Sequence, residues 1–367
     1  MTSTRDKVRE EALAAIGTRR RSGIVVTMSG GKTLIALTHM ANNYNESLTV
    51  LVVGPKRSVF KTWKDEMEKF NLLYLLPHIT FVTYRSMNKL NPDDYDIIYL
   101  DEDHNLIPES HNEWLSRFPA AKIILGLTGT KPKYKGSGKG MMVERYCPMV
   151  YEYLTDEAVD DKIINDYRIV VHLLPLDKRK NVLAKSKNAQ WYTSEFDTYS
   201  YWSRRVEDAI SPREKKITRI MRMKAMQGFP SKEVLGKKLF DDAIDKCILF
   251  ANTKDQAARL STYSYYSGNT SSEQNLEAFK KGEIMKLSCV LQLNEGVNIP
   301  KLKESIILHA YGNEHKTSQR LGRTLRLNPD ETATIHILCY QDTVDVLWTQ
   351  EALSNFDQNK IRWVTAA

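Results

Sequence analysis

Cysteine is scarce in this chain. Cys147, Cys247, Cys289 and Cys339 are the only four among 367 residues, and none forms a Cys-x-x-Cys pair. That spacing argues against a zinc site or a disulfide framework and for a reducing, cytoplasmic setting. No apolar run approaches the roughly 20 residues that a membrane helix needs. The opening stretch, Met1 to Glu11, is polar and charged, so no secretory leader and no membrane partner are expected. Acidic side chains are the minority, 45 against 53 Lys and Arg, and the net charge of +8 permits a polyanionic partner such as nucleic acid. What is there is ordinary: 42% apolar residues, enough for a sizeable core, in a chain long enough for two domains.

Short apolar runs alternate with helical patterns. Strands are expected at Ile24–Val26, Thr49–Val53, Ile79–Thr83, Ile97–Leu100 and Ile123–Leu127, each apolar throughout. Helices are expected at Asp6–Ile16, from the first strand's turn to about Asn43, and at Val59–Phe70. The last of these carries Val59, Trp63, Met67 and Phe70 on one face. Strands of this kind separated by helices predict a parallel sheet with helices on both faces. A second set follows at Ile169–Leu174, Ile248–Ala251, Val290–Leu293, Ile306–His309 and Ile335–Cys339. The expected architecture is therefore α/β in two tandem domains, residues 1–153 and 154–367. The second holds a helix-favouring insertion at about 177–245. It is rich in aromatics, with Trp191, Tyr192, Phe196, Tyr199, Tyr201 and Trp202 close together. Most of these rings are expected to pack the insertion onto its domain; stacking on nucleic-acid bases is the alternative.

Four stretches carry chemistry. Thr27 to Thr33 lies between a strand and a helix and contains Ser29, Gly30, Gly31, Lys32 and Thr33, with Leu34 opening the helix. Glycines let backbone amides close around phosphate, Lys32 offers a point charge, and the Thr33 hydroxyl can hold Mg2+. Val26 stands where the strict phosphate-loop pattern has glycine. The strand Ile97–Leu100 runs into Asp101-Glu102-Asp103-His104. There one carboxylate can bind the metal and the next can activate water. Thr128-Gly129-Thr130 ends the next strand. In the second domain, Gln319 to Arg326, read as a helix, places Gln319, Gly322, Arg323 and Arg326 near one side. Paired arginines can stabilise γ-phosphoryl charge.

In order and spacing, from about Ile24 to Tyr340, these segments resemble the superfamily 2 helicases and translocases of the DEAD/DEAH-box type. Lys32 and Thr33 fall in a motif I, Gly54-Pro55-Lys56 in a motif Ia and Phe81 to Ser86 in a motif Ib. Asp101 to His104 match a DEAH-like motif II, and Thr128 to Thr130 a motif III. Ile248 to Thr253 match motif IV, Asn294 to Pro300 motif V, and Gln319 to Arg326 motif VI. The compact arrangement is similar to bacteriophage-type members.

The resemblance implies two RecA-like domains that bind ATP and Mg2+. By that carry-over Lys32, Thr33 and Asp101 hold triphosphate and metal, and Glu102 is the general base. His104, Thr128, Gly129 and Thr130 couple hydrolysis to movement. Gly296 and Asn298 line the nucleotide, while Gln319, Arg323 and Arg326 complete the catalytic set as motif VI. Lys56, Arg57, Thr83, Arg85, Asn252 and Thr253 touch nucleic acid. Two departures stand out. Arg9 occupies the place of the family's adenine-reading glutamine, and Asn298 replaces the usual Asp of motif V. The function so implied is a monomeric ATP-dependent motor, a DNA helicase or branch-migrating translocase. An RNA helicase and an ATP-dependent clamp without strand separation are the alternatives.

Overall fold

The computed structural model describes residues 3–27, 30–129, 137–185, 189–290, 299–310 and 330–366. The chain opens with α1 (Thr4–Ile16). Ser3 caps it by accepting the Asp6 amide, and Asp6 accepts the Ser3 amide in return, a reciprocal capping box. Then come β1 (Arg21–Val26), α2 (Lys32–Asn42), β2 (Val50–Gly54), α3 (Val59–Lys69), β3 (Ile79–Thr83) and β4 (Ile97–Asp101). They are followed by α4 (Pro108–Arg117), β5 (Ile123–Thr128), α5 (Gly138–Tyr146), β6 (Met149–Tyr153) and α6 (Thr155–Asp160). The strands lie in the order β3-β2-β4-β5-β1-β6, and every ladder is parallel. Every residue of β2, β4 and β5 is buried, as a sheet covered on both faces requires.

Two details depart from the sequence expectation. β6 was not anticipated, because Met149-Val150-Tyr151-Glu152-Tyr153 is only partly buried and has no clean apolar run. On α3, Val59, Trp63 and Met67 are buried, but the helix stops at Lys69. Phe70, in the cap with φ −107°, leaves the stripe and is 38% exposed. Packing divides the chain at Ile164/Asn165, so α6 stays with the first unit, where the Thr27 and Thr155 hydroxyls lie 2.9 Å apart.

The second unit begins with β7 (Asp166–Leu174) and an antiparallel hairpin, β8 (Val182–Lys185) with β9 (Gln190–Thr193). Three helices follow: α7 (Glu195–Glu207), α8 (Pro212–Gln227) and α9 (Pro230–Asp242). Next are β10 (Cys247–Ala251), α10 (Lys254–Leu260), β11 (Ser264–Tyr265), α11 (Ser272–Lys281), β12 (Lys286–Val290) and β13 (Glu304–Ile307). After these come β14 (Thr332–Tyr340), α12 (Val344–Leu353) and β15 (Ile361–Thr365). The sheet order is β11-β12-β10-β13-β14-β7-β15, again with every ladder parallel. The strand expected at Val290–Leu293 is β12, which ends at Val290; residues 291–293 lie outside the described ones.

The insertion is not wholly helical, since it starts with the β8–β9 hairpin. Nor does all of it stand apart from the sheet: α9 packs on it, with Phe240 buried. Gly236 lacks a side chain where a Cβ would fall 2.3 Å from Leu308 Cδ2. The expectation that most of its aromatics are packed away is corrected. Trp191 and Tyr192, on the largely exposed β9, are 50 and 63% exposed, and Phe196 and Tyr201 are 44 and 56% exposed because the Tyr199, Trp202 and Val206 side of α7 turns inward. Among the described residues no helix is long and apolar enough to cross a membrane.

Candidate active site

Because every ladder of the first sheet is parallel, the carboxyl ends of its strands share one edge, where α/β folds form their ligand crevices. β1 leads there into the glycine turn. The Gly30 amide donates to the Thr27 carbonyl at 3.0 Å, and a Cβ on Gly30 would fall 2.6 Å from Val26 Cγ1. Gly31, at φ +90°, caps α2 without a side chain, so no side-chain acceptor covers the first amides of that helix. Lys32, Thr33 and Leu34 form its first turn, where the dipole favours an anion.

β4 delivers the acidic residues to the same edge. Lys32 Nζ lies 2.7 Å from Glu102 Oε1, with both side chains largely shielded from solvent. Burial works against the Lys32 cation, but the charges of Glu102 and Asp101 outweigh it and hold the ammonium above its ordinary value. Asp101 Oδ2 accepts from Trp63 Nε1 at 2.9 Å, and its carbonyl accepts from the Tyr84 hydroxyl at 3.1 Å. Glu102 sits at φ 55°, ψ 60°, a left-handed conformation that costs a non-glycine residue about 1–3 kcal/mol. Asn105 Nδ2 holds the Glu102 carbonyl at 2.9 Å. His104 Nδ1 is 3.4 Å from Glu102 Oε2 and 3.5 Å from Thr128 Oγ1, which links motif II to the end of β5, where Gly129 follows. Burial pushes His104 down to about 4, so the ring is neutral at pH 7.

Three further residues belong to this site without having been singled out for it. Trp63 was read as a helix face, yet it orients Asp101. Tyr84 lies within the motif Ib text and holds the same residue's backbone. Asp103 carries no assigned role in the sequence reading. It is fully buried, and neither carboxyl oxygen has a hydrogen-bond partner among the described residues. Burial first, then the Glu102 charge, pushes it up to about 8. Space for it exists because residue 126 is glycine: a Cβ there would fall 2.6 Å from Asp103 Oδ2.

Gly54 and Thr83 are register partners at the ends of β2 and β3. Lys56 and Arg57 therefore leave a strand adjacent to the one that leads into Arg85, and all three cations are exposed. Asn252 and Thr253 lie in the second unit, where both cap α10. The Thr253 hydroxyl accepts the Gln256 amide at 3.2 Å, and the Asn252 amide donates to Gln256 Oε1 at 3.1 Å. Arg9 pairs with Asp6 on α1 at 2.8 Å and touches neither Lys32 nor Glu102 among the described residues. Ser29, Thr130, Gly296, Asn298, Gln319, Arg323 and Arg326 lie outside the described residues.

Comparison with known proteins follows the same lines. The helicase conserved C-terminal domain family matches residues 230–328, which start at α9. The DNA 3'-5' translocase XPB2 of Sulfurisphaera tokodaii is 25% identical over 360 residues, covering 89% of this chain and 80% of its own. Among solved structures, the type ISP restriction-modification enzyme LlaBIII bound to DNA aligns over 100% of this chain at a TM-score of 0.62 and 13% identity. This chain spans only 31% of that enzyme. S. cerevisiae Dbp5 bound to RNA and ADP BeF3 aligns over 98% of this chain and 89% of its own, at a TM-score of 0.57 and 14% identity. The two parallel α/β units thus share the RecA-like fold of these proteins.

Proposed function

We propose that this chain, similar to the helicase conserved C-terminal domain over residues 230–328 and to a DNA 3'-5' translocase at 25% identity, is an ATP-dependent DNA motor of the superfamily 2 type, a helicase or branch-migrating translocase. The observation that carries this reading is the 2.7 Å pair between Lys32 and Glu102, at a carboxyl sheet edge where Trp63 tethers Asp101. Lys32 and Glu102 neutralise one another without nucleotide. A triphosphate at the α2 N-terminus competes for Lys32. As the ammonium turns to the β/γ-oxygens, the Glu102 carboxylate is released to take the proton of an attacking water. Water oxygen bonds to the γ-phosphorus, the bond to the bridging oxygen breaks, and ADP and phosphate leave.

The donor set fits Mg2+, a hard cation that keeps several waters and accepts one carboxylate with a hydroxyl. Thr33 and Asp101 would hold it, and it would supply charge neutralisation on the phosphates. The neutral His104, between Glu102 and Thr128, would report the γ-phosphate to the end of β5. By the family resemblance, Gly296, Asn298, Gln319, Arg323 and Arg326 would also serve the nucleotide, with the arginines stabilising the leaving charge. The DNA preference rests on the DNA translocase relative; the net positive charge suits either polynucleotide. Lys56, Arg57, Thr83 and Arg85 would grip the phosphate backbone.

The test is steady-state ATP hydrolysis without polynucleotide, then with single-stranded, duplex and forked DNA and with RNA, using Lys32→Ala as background. Stimulation by DNA is expected, and Glu102→Gln is expected to bind nucleotide without turnover. Stimulation by RNA alone moves the substrate to RNA. A rate indifferent to every polynucleotide overturns the motor reading.

A further inference from the structure

Among the described residues, α8 of the helical hairpin α7–α8 in the second unit concentrates positive charge on which neither the fold nor the nucleotide site makes a demand. α8 carries six basic side chains and one acidic, Glu214. A helix that served only as a solvated spacer would be expected to balance such charge with i,i+4 carboxylates, since unpaired like charges repel. Here Lys215, Lys216 and Arg219 pair with no carboxylate among the described residues. Instead, with Pro212 and Ile220, they line a shallow groove along the helix. Arg222 alone turns inward, over the Tyr199 ring at 5.8 Å and towards the Ser203 hydroxyl at 3.4 Å, and so fixes α8 on α7.

Apolar and aromatic groups accompany the charge. Ile210, at the tip between the helices, is 96% exposed, and Ile217, Ile220 and Met221 on α8 are exposed as well. On α7, Tyr201, Arg204 and Arg205 stand three and four residues apart, so they share one outward stripe. Tyr201 is 56% exposed, its ring edge-on to Trp202 at 5.1 Å, which sets its orientation. Arg205 is held by Glu214 at 3.8 Å, but Lys215, Lys216 and Arg219 on α8 and the exposed Tyr201 ring on the adjoining α7 fit one chemistry: a sugar-phosphate backbone with unstacked bases next to it. An acidic protein surface would satisfy the lysines but give the exposed Tyr201 face no planar partner.

We infer that the α7–α8 hairpin is a nucleic-acid-binding arm of the second unit, with Lys215, Lys216 and Arg219 on backbone phosphates and Tyr201 as a stacking platform for a base. This rests on the motor reading and names a contact surface outside the residues assigned to it above. It also gives the insertion a purpose that the sheet does not require.

The experiment is titration of a fluorescent forked DNA with a single-stranded arm, followed by anisotropy between 50 and 200 mM salt. It compares the unaltered protein with Lys215→Gln/Lys216→Gln/Arg219→Gln and with Tyr201→Ala. The substituted side chains are exposed, and unchanged melting curves verify the fold. Loss of three phosphate contacts is expected to make the slope of log K against log salt shallower by about 2–3, at roughly 0.7–0.9 per contact. Tyr201→Ala is expected to weaken binding about 5- to 150-fold while leaving that slope in place, because stacking is not a counterion effect. If the unaltered protein binds and both variants match it in affinity and slope, the arm is refuted while the motor reading stands. If the unaltered protein binds neither this DNA nor the equivalent RNA, the motor reading falls and the arm with it.

Discussion

Asp103 makes the pH dependence of the first unit predictable. Its carboxyl is fully buried, has no hydrogen-bond partner among the described residues, and is pushed up to about 8 by burial and the nearby Glu102 charge. In the unfolded chain the same group titrates near 3.8. Between those values the folded protein holds a proton that the unfolded chain has lost. The stability it contributes is complete below the unfolded value and drains away as pH rises towards 8. One proton taken up on folding changes stability by a little over 1 kcal/mol per pH unit, so about 3 kcal/mol is lost between pH 5 and pH 7. For a unit of this size that corresponds to roughly 5–10 °C in melting temperature. Asp103→Asn keeps the shape and carries no proton to lose. Thermal melts of both proteins in chelator, at half-unit steps from pH 5 to 8, should give curves that diverge. The variant gains on the parent as pH rises, and the gap levels off above pH 8. Curves that run parallel across this range would refute the burial argument.

Other perturbations test other parts of the structure. Gly126→Ala places a methyl 2.6 Å from Asp103 Oδ2 and 2.7 Å from Cys147 Cβ, both buried. Overpacking of this kind costs about 1–3 kcal/mol, and calorimetry on the variant reads it. In the second unit, Lys232 bonds Asp345 with both side chains buried, and His309 Nδ1 lies 3.2 Å from the other carboxyl oxygen. Lys232→Met alone should cost about 3–5 kcal/mol by leaving a buried charge unpaired, and adding Asp345→Leu should recover most of it in urea titrations. Trp63→Phe removes the donor to Asp101 while keeping an aromatic ring in its place. The Mg2+ concentration for half-maximal ATP hydrolysis should rise several-fold with the melting temperature little changed. An unaltered Mg2+ requirement would separate Asp101 from metal binding.

The fold was legible where a single physical demand acted on each residue of a segment. β2, β4 and β5 are buried along their whole length, so they are apolar up to the Asp101 and Thr128 that close β4 and β5, and continuous apolar runs between helical patterns announce a parallel sheet. Where one segment answers two demands, the signal weakens. β6 is an edge strand with Glu152 and Tyr151 partly in solvent, and β12 begins at a lysine and carries Ser288 in its buried centre. Neither has the uninterrupted run that marks a buried strand. The β8–β9 hairpin was missed for the same reason. Leu183 and Tyr192 face each other across it and are both exposed, and none of its residues is fully buried, so the alternation on β8 is weak.

The site divides along a similar line. Chemistry that depends on residue type at fixed spacing, Gly-Gly-Lys-Thr before a helix and Asp-Glu-x-His after a strand, is visible in one dimension. Chemistry that depends on what the fold surrounds is not. Asp103 lies between two residues whose side chains meet near Lys32, yet its own side chain is enclosed, because Gly126 on the neighbouring strand leaves room for a carboxyl there. The left-handed backbone of Glu102 gives a reason for that reversal. A turn at φ 55° immediately after β4 ends the extended alternation, so Asp103 faces the interior while Glu102 and His104 face the phosphate edge. The Asp101-Glu102-Asp103-His104 stretch is therefore three polar groups at a site and one carboxyl in the core, and the pairing of β4 with β5 distinguishes them.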